Sequence, residues 1–181
     1  MKIFNAIITA LLLICLQACS EQLSAENTTD TNATQAQQSQ AVSHTILEPT
    51  GDIKESVLGE LKQGRWELVM FWATYCPVCK SDFEKLATFI EENPEIPLTV
   101  VGVVVDGIDA REKALKQINE RQLNYTHVIT DFDQGNKLYQ EITNSALIGI
   151  PSQLLYDTDN KLYGFSRNAI DIDALELAVY E

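Results

Sequence analysis

Apolar residues along this chain gather in short dense runs, and between those runs they recur every three or four positions, so the pattern predicts strands and helices in alternation. The run from Glu67 to Trp72 predicts a buried strand. After it, Phe83, Leu86, Ala87 and Ile90 recur at helical spacing until Pro94 and Pro97 break the pattern. Leu98 to Val105 is a β-branched run suited to a central parallel strand, ending at Asp106-Gly107. Asp109 is the expected cap of a helix reaching about Gln122, with Ala114, Leu115 and Ile118 facing inward, and Tyr125 to Thr130 reads as the next strand. That makes a crossover unit. A helix near Asn136 to Ile142 follows, then Gln153–Tyr156 and Lys161–Phe165 flank Asp157-Thr158-Asp159-Asn160 as a hairpin, in which Asp157 reads as a turn residue. A last short helix carries Ile172, Leu175 and Val179 on its inner stripe, with Asp171 as its cap.

The first forty-five residues follow a different pattern. Met1-Lys2 and the mostly apolar run from Ala6 to Leu16 have the charged start and short apolar core of an export signal, too short for a membrane span. Leu16-Gln17-Ala18-Cys19 resembles the lipobox of bacterial lipoproteins, which implies cleavage after residue 18 and a lipid on Cys19. Ser20 after that cysteine resembles lipoproteins sorted to the outer membrane in double-membraned bacteria. The alternative is an ordinary cleavage site with a cysteine beside it. Residues 19–45 are rich in Gln, Thr, Ser, Asn and Ala, bury too little to offset their ordering entropy, and are expected to be a flexible tether. Residues 46–181 are the right size for one domain with a single core.

Charge narrows the partners. With 26 acidic and 13 basic residues the chain has a formal net charge of −13, which argues against nucleic acid and against electrostatic attachment to an anionic bilayer. Membrane attachment would then come from the lipid.

The chemistry lies at the junction of the first long strand and the helix after it. Cys76-Pro77-Val78-Cys79 places two cysteines three apart where a helix begins, and the unpaired N–H groups of a first turn stabilise thiolate over thiol. Cys76 is the expected nucleophile. Pro77 suits the first helical position. Cys79, one turn on, shares a helix face with Cys76 and is placed to resolve a mixed disulfide formed there. A structural zinc site needs four ligands, and one CxxC supplies two. A purely structural disulfide across so small a loop would restrain the unfolded chain little. A copper carrier or redox sensor using Cys76, Cys79 and His127 is an alternative of another class, set against the reading of His127 as an ordinary strand residue. Lys80 reads first as a solvated charge.

Phe71-Trp72-Ala73-Thr74-Tyr75-Cys76-Pro77-Val78-Cys79-Lys80, Gly149-Ile150-Pro151-Ser152 and the Leu155-Tyr156-Asp157 strand before the hairpin resemble the thioredoxin superfamily. The crossover from Val105 to Thr130 and the lipobox narrow the resemblance to the TlpA/ResA-like membrane-anchored thiol-disulfide oxidoreductases. It implies an α/β thioredoxin-like fold, with a central mixed β-sheet flanked by helices and an extra crossover insert. It also implies that Pro151 is a cis-proline opposite the dithiol, and that Trp72, Tyr75, Ile150 and Pro151 surround the client, although Trp72 taken alone reads as core. Two positions depart from the family pattern. Met70 stands where thioredoxins carry a buried aspartate, and Tyr75 stands where tryptophan is usual. Asp82 is therefore the candidate proton acceptor for Cys79, matching an acidic residue of ResA-like members, and the alternative is a water-facing carboxylate favouring the helix dipole.

The reaction needs no metal and no organic cofactor. The resemblance favours a reductase of extracytoplasmic client proteins, apocytochrome c among them, reset by a membrane or periplasmic redox partner. Run in reverse, the same residues would oxidise or isomerise, and the reduction potential sets the direction. A peroxidase role is weaker, because the mature domain has no separate peroxidatic cysteine.

Overall fold

A computed structural model describes residues 46–49 and 51–180. The expected export signal, the lipidated Cys19 and the tether lie outside the described residues. The elements in chain order are strand β1 (Ile46–Leu47), helix α1 (Ile53–Leu58), β2 (Trp66–Trp72), α2 (Pro77–Glu92), β3 (Leu98–Val104), a 3-10 turn (Ile108–Ala110), α3 (Arg111–Glu120), β4 (Thr126–Ile129), α4 (Phe132–Thr143), β5 (Ser152–Tyr156), β6 (Leu162–Ser166) and α5 (Ile172–Tyr180).

The strands form one mixed sheet in the order β1-β4-β3-β2-β5-β6. β2 pairs in parallel with β3, β3 with β4 and β4 with β1, whereas β5 runs antiparallel to β2 and β6 antiparallel to β5. This is the mixed α/β architecture that the resemblance implies. The parallel pairs need helical crossovers, and the antiparallel pair β5–β6, adjacent in the chain, a tight turn. That turn is built by Asp157, whose Oδ1 accepts from the N–H groups of Asp159 and Lys161, both at 2.9 Å, and by Asn160 at φ 60°.

Helices on both faces bury β2 and β3 except at the half-buried Trp66 and Thr99, which explains their apolar runs. One cluster joins Val69, Phe71, Val101 and Val103 to α4 through Leu138 and Tyr139. The opposite one gathers Met70, Trp72, Cys76, Cys79 and Phe83 with Ala114 and Ile118 of α3. Gly102, in the middle of β3, is required by close approach: a Cβ there would collide with the His127 ring and crowd the Trp72 indole.

Some expectations need correcting. The structure adds α1 and β1, which the sequence pattern did not predict. Asp109 does not cap α3. It lies inside the 3-10 turn that follows Gly107, and α3 starts at Arg111 with no side-chain cap. On α2 the inward stripe includes Phe89 while Ala87 is exposed. Asp171 caps α5 as expected, accepting the Ala174 N–H at 3.1 Å, whereas Asp131, which the sequence pattern did not single out, caps α4 by accepting the Gln134 N–H at 2.8 Å.

Candidate active site

β2 delivers the chain to the site and α2 carries it away. Cys76 is the N-cap of α2, in extended conformation, and Pro77 occupies the first turn. The Cys76 Sγ accepts the N–H of Cys79 at 3.1 Å. A sulfur so placed receives one of the helix's orphan donors and sits at the positive end of its dipole, where a thiolate is favoured. No acidic residue in that first turn opposes the effect.

The two sulfurs are bonded to each other, with the Cα atoms 5.4 Å apart. Cys76 is 5% exposed and Cys79 fully buried. Of the pair, Cys76 is the one an incoming group can reach.

The loop before Cys76 is tied down by polar contacts. The N–H of Thr74 donates to Asp106 Oδ2 at 3.0 Å and its hydroxyl donates to the same oxygen. The carbonyl of Thr74 accepts from Gln117 Nε2 at 2.8 Å. The sequence reading singled out neither Asp106 nor Gln117 as a site residue. A signal for each exists: Asp106 ends the β-branched run, at the carboxyl end of a central parallel strand where sites of α/β sheets lie, and Gln117 is a polar residue three positions from inward-facing Ala114.

On the far side of the dithiol, the Asp82 side chain is fully buried. Its Oδ2 accepts the N–H of Ile170 at 2.9 Å, and the Lys85 ammonium stands 3.8 Å from Oδ1. Burial raises the Asp82 carboxyl above the ordinary aspartate value, and the Ile170 N–H and the Lys85 charge offset this only in part. The water-facing alternative for Asp82 is therefore excluded.

The Ile150–Pro151 peptide bond is cis, as the resemblance implies. Ser152, next in the chain, pairs with Phe71, so Pro151 stands beside the carboxyl end of β2. Ile150 packs against the cluster that contains both cysteines. Tyr75 is 63% and Ile148 74% exposed, and Val78 is exposed as well, so apolar surface borders the dithiol. Trp72 is a correction. Expected at the client face, it is buried in the core, edge-on to Phe83 with ring centroids 5.1 Å apart. As the last residue of a strand covered on both faces, it has no side that meets solvent. Met70, at the departed family position, is fully buried among apolar neighbours.

His127 lies buried in β4 between the rings of Tyr125 and Trp72, with centroids at 4.7 and 5.6 Å. Among the described residues no group of three or more His, Cys, Asp or Glu is disposed to hold a metal ion, and no helix is long and apolar enough to cross a membrane.

The sequence model of the AhpC/TSA family matches residues 36–164, most of the chain. The chain belongs to the AhpC/TSA family. No curated protein sequence matches it. Among solved structures, this AhpC/TSA-family chain is similar to the thioredoxin domain of a thiol-disulfide oxidoreductase from Bacteroides vulgatus, at 23% identity and a TM-score of 0.52, over 65% of this chain and 81% of that one. It is similar to a thioredoxin-family thiol:disulfide interchange protein from Chlorobium tepidum, at 17% identity and a TM-score of 0.55, over 70% and 82% of the two chains. A thiol:disulfide interchange protein from Bacteroides sp. matches at 22% identity and a TM-score of 0.50, over 65% and 75%. The likenesses show that this AhpC/TSA-family chain has a thioredoxin-like fold.

Proposed function

We propose that the chain is a thiol-disulfide oxidoreductase that reduces disulfides of extracytoplasmic proteins through Cys76 and Cys79. The observation that carries this reading is the Cys76–Cys79 disulfide at the start of α2, with the more accessible sulfur at the N-cap.

In the reduced protein the Cys76 thiolate attacks one sulfur of a client disulfide. A Cys76–client bond forms, the client S–S bond breaks, and the client's other sulfur leaves as a thiolate that takes up a proton. Cys79 then loses its proton to Asp82, attacks the Cys76 sulfur and expels the second client thiolate. The client gains two electrons and the chain becomes the disulfide, to be reset by a membrane or periplasmic dithiol. The raised affinity of the buried Asp82 for a proton suits it to that transfer. Tyr75, Ile150 and Pro151 are the residues against which the client segment lies.

The chain works outside the cytoplasm, held by a lipid on Cys19 through the 19–45 tether. Ser20 favours the outer membrane where the host has one. Apocytochrome c is the client suggested by the ResA-like resemblance.

The test is the reduction potential of the Cys76–Cys79 pair in the full chain, equilibrated against defined thiol buffers. A value near or below about −250 mV is expected and fits a reductase, whereas one near −120 mV would make the chain an oxidase. Failure to close the internal disulfide would remove both.

A further inference from the structure

We propose that Asp106 and Gln117 are positioning residues for the dithiol, fixing the strand-to-helix loop so that Cys76 meets a client disulfide in the reactive geometry. The inference rests on the dithiol reading of the same site and adds to it the two side chains that aim the nucleophile.

β2 and β3 are paired from Trp66↔Leu98 to Trp72↔Val104. The Val105 N–H donating to the Trp72 carbonyl at 2.9 Å carries that pairing past the end of both strands. Asp106 is thereby brought alongside Thr74 and takes both of its donors on one oxygen. Gln117 reaches the Thr74 carbonyl from α3, and both partners of that bond are buried. The carbonyl of Thr74 and the N–H of Tyr75 share one peptide plane, so holding the first fixes the tilt of the second. The Cys76 N–H closes the turn on the Ala73 carbonyl at 3.1 Å. The donors and acceptor of Thr74 are therefore all held by the crossover β3–α3, an element that carries neither cysteine.

Disulfide exchange proceeds with the three sulfurs close to a line. A small reagent can approach a loosened Cys76 from several sides, but a client lying along the Ile150–Pro151 segment presents its disulfide from one direction. A displacement of about 1 Å at a reacting atom costs on the order of a hundredfold in rate. Loss of the clamp is expected to slow exchange with a peptide disulfide far more than exchange with a small one.

The full chain, reduced, is reacted with a disulfide-bonded peptide and, separately, with Ellman's reagent, for wild type, Gln117→Ala, Asp106→Asn, Thr74→Val and Thr74→Ser. The expected result is a loss of about tenfold or more against the peptide in the first three variants, with the Ellman's rate within about threefold of wild type. Thr74→Ser, which keeps both donors, restores the peptide rate. Peptide rates within about twofold of wild type, or equal losses against both reagents, would overturn the clamp while leaving the dithiol reading intact. A wild type inert towards the peptide would instead remove the reading itself, and the clamp with it.

Discussion

The chain on the two sides of the dithiol is held in opposite ways. In front of Cys76, Asp106 Oδ2 accepts both donors of Thr74 and Gln117 donates to its carbonyl, so the loop is tied to the β3–α3 crossover. Behind Cys79, the Asp82 carboxylate is fully buried with a single backbone donor on one oxygen and a lysine at 3.8 Å from the other. One carboxylate, Asp106, ties both donors of Thr74 through Oδ2 and sets geometry. The other is under-solvated, holds a proton more tightly than an exposed aspartate would, and is equipped to exchange it. On the proposed mechanism, capture of the client belongs to the front of the site and its release to the back.

Cys79→Ser gives the largest break between the two halves. Capture at Cys76 survives and release stops, so turnover is lost and a mixed disulfide with the client accumulates, visible as one added peptide mass at Cys76. Cys76→Ser gives neither. A Cys79→Ser variant that still turned over would reverse the assigned roles.

Asp82→Asn comes next. It removes the proposed proton acceptor and leaves the front loop untouched, so formation of the mixed disulfide keeps its rate while resolution slows by about a hundredfold to ten-thousandfold, the usual scale of a general base. Rapid-quench measurement of the two steps separates them. The same variant has a stability signature. Burial raises the Asp82 carboxyl above 3.8, its ordinary value. The folded protein therefore binds that proton more tightly than the unfolded chain does. The resulting contribution to stability is complete below that value and is lost as pH rises from there through the folded-state value. Asparagine has no proton to lose, so urea midpoints of the variant gain on those of the wild type as pH rises from about 4 towards neutrality. A constant gap across that range would mean that Asp82 ionises as it does in the unfolded chain.

The front and back of the site were unequally legible in the sequence. The dithiol and its helix are local motifs, readable from a few adjacent residues, and Pro151 followed from the resemblance. The ties that orient them join Thr74 to Asp106, Gln117 to Thr74 and Ile170 to Asp82 across 32, 43 and 88 positions, and no local pattern carries such pairings. Trp72 taken alone read as core, as it is; only the resemblance set it at the client face, because in a strand buried on both faces alternation of side chains says nothing about which residue meets a client. Asp109 failed as a cap because Gly107, at φ 86°, turns the chain into a 3-10 turn and delays the helix until Arg111. The Asp171 cap was readable because capping is settled within three residues.

The smallest expected effect is a control that sharpens the comparison. Asp131 caps α4 by accepting the Gln134 N–H at 2.8 Å. The helix it starts packs through Leu138 and Tyr139 into the core cluster that contains neither cysteine. Asp131→Ala is expected to cost about 1 kcal/mol of stability. Removing the Gln117 amide leaves the buried Thr74 carbonyl without its donor and costs about 1–3 kcal/mol, so the two variants overlap in stability. If the front loop acts only through global stability, both slow peptide exchange alike. If the loop aims Cys76, Asp131→Ala keeps the wild-type exchange rate at the same urea midpoint at which Gln117→Ala loses about tenfold. Matching the two by denaturation and then comparing their exchange rates isolates the geometry of the loop from the stability of the fold.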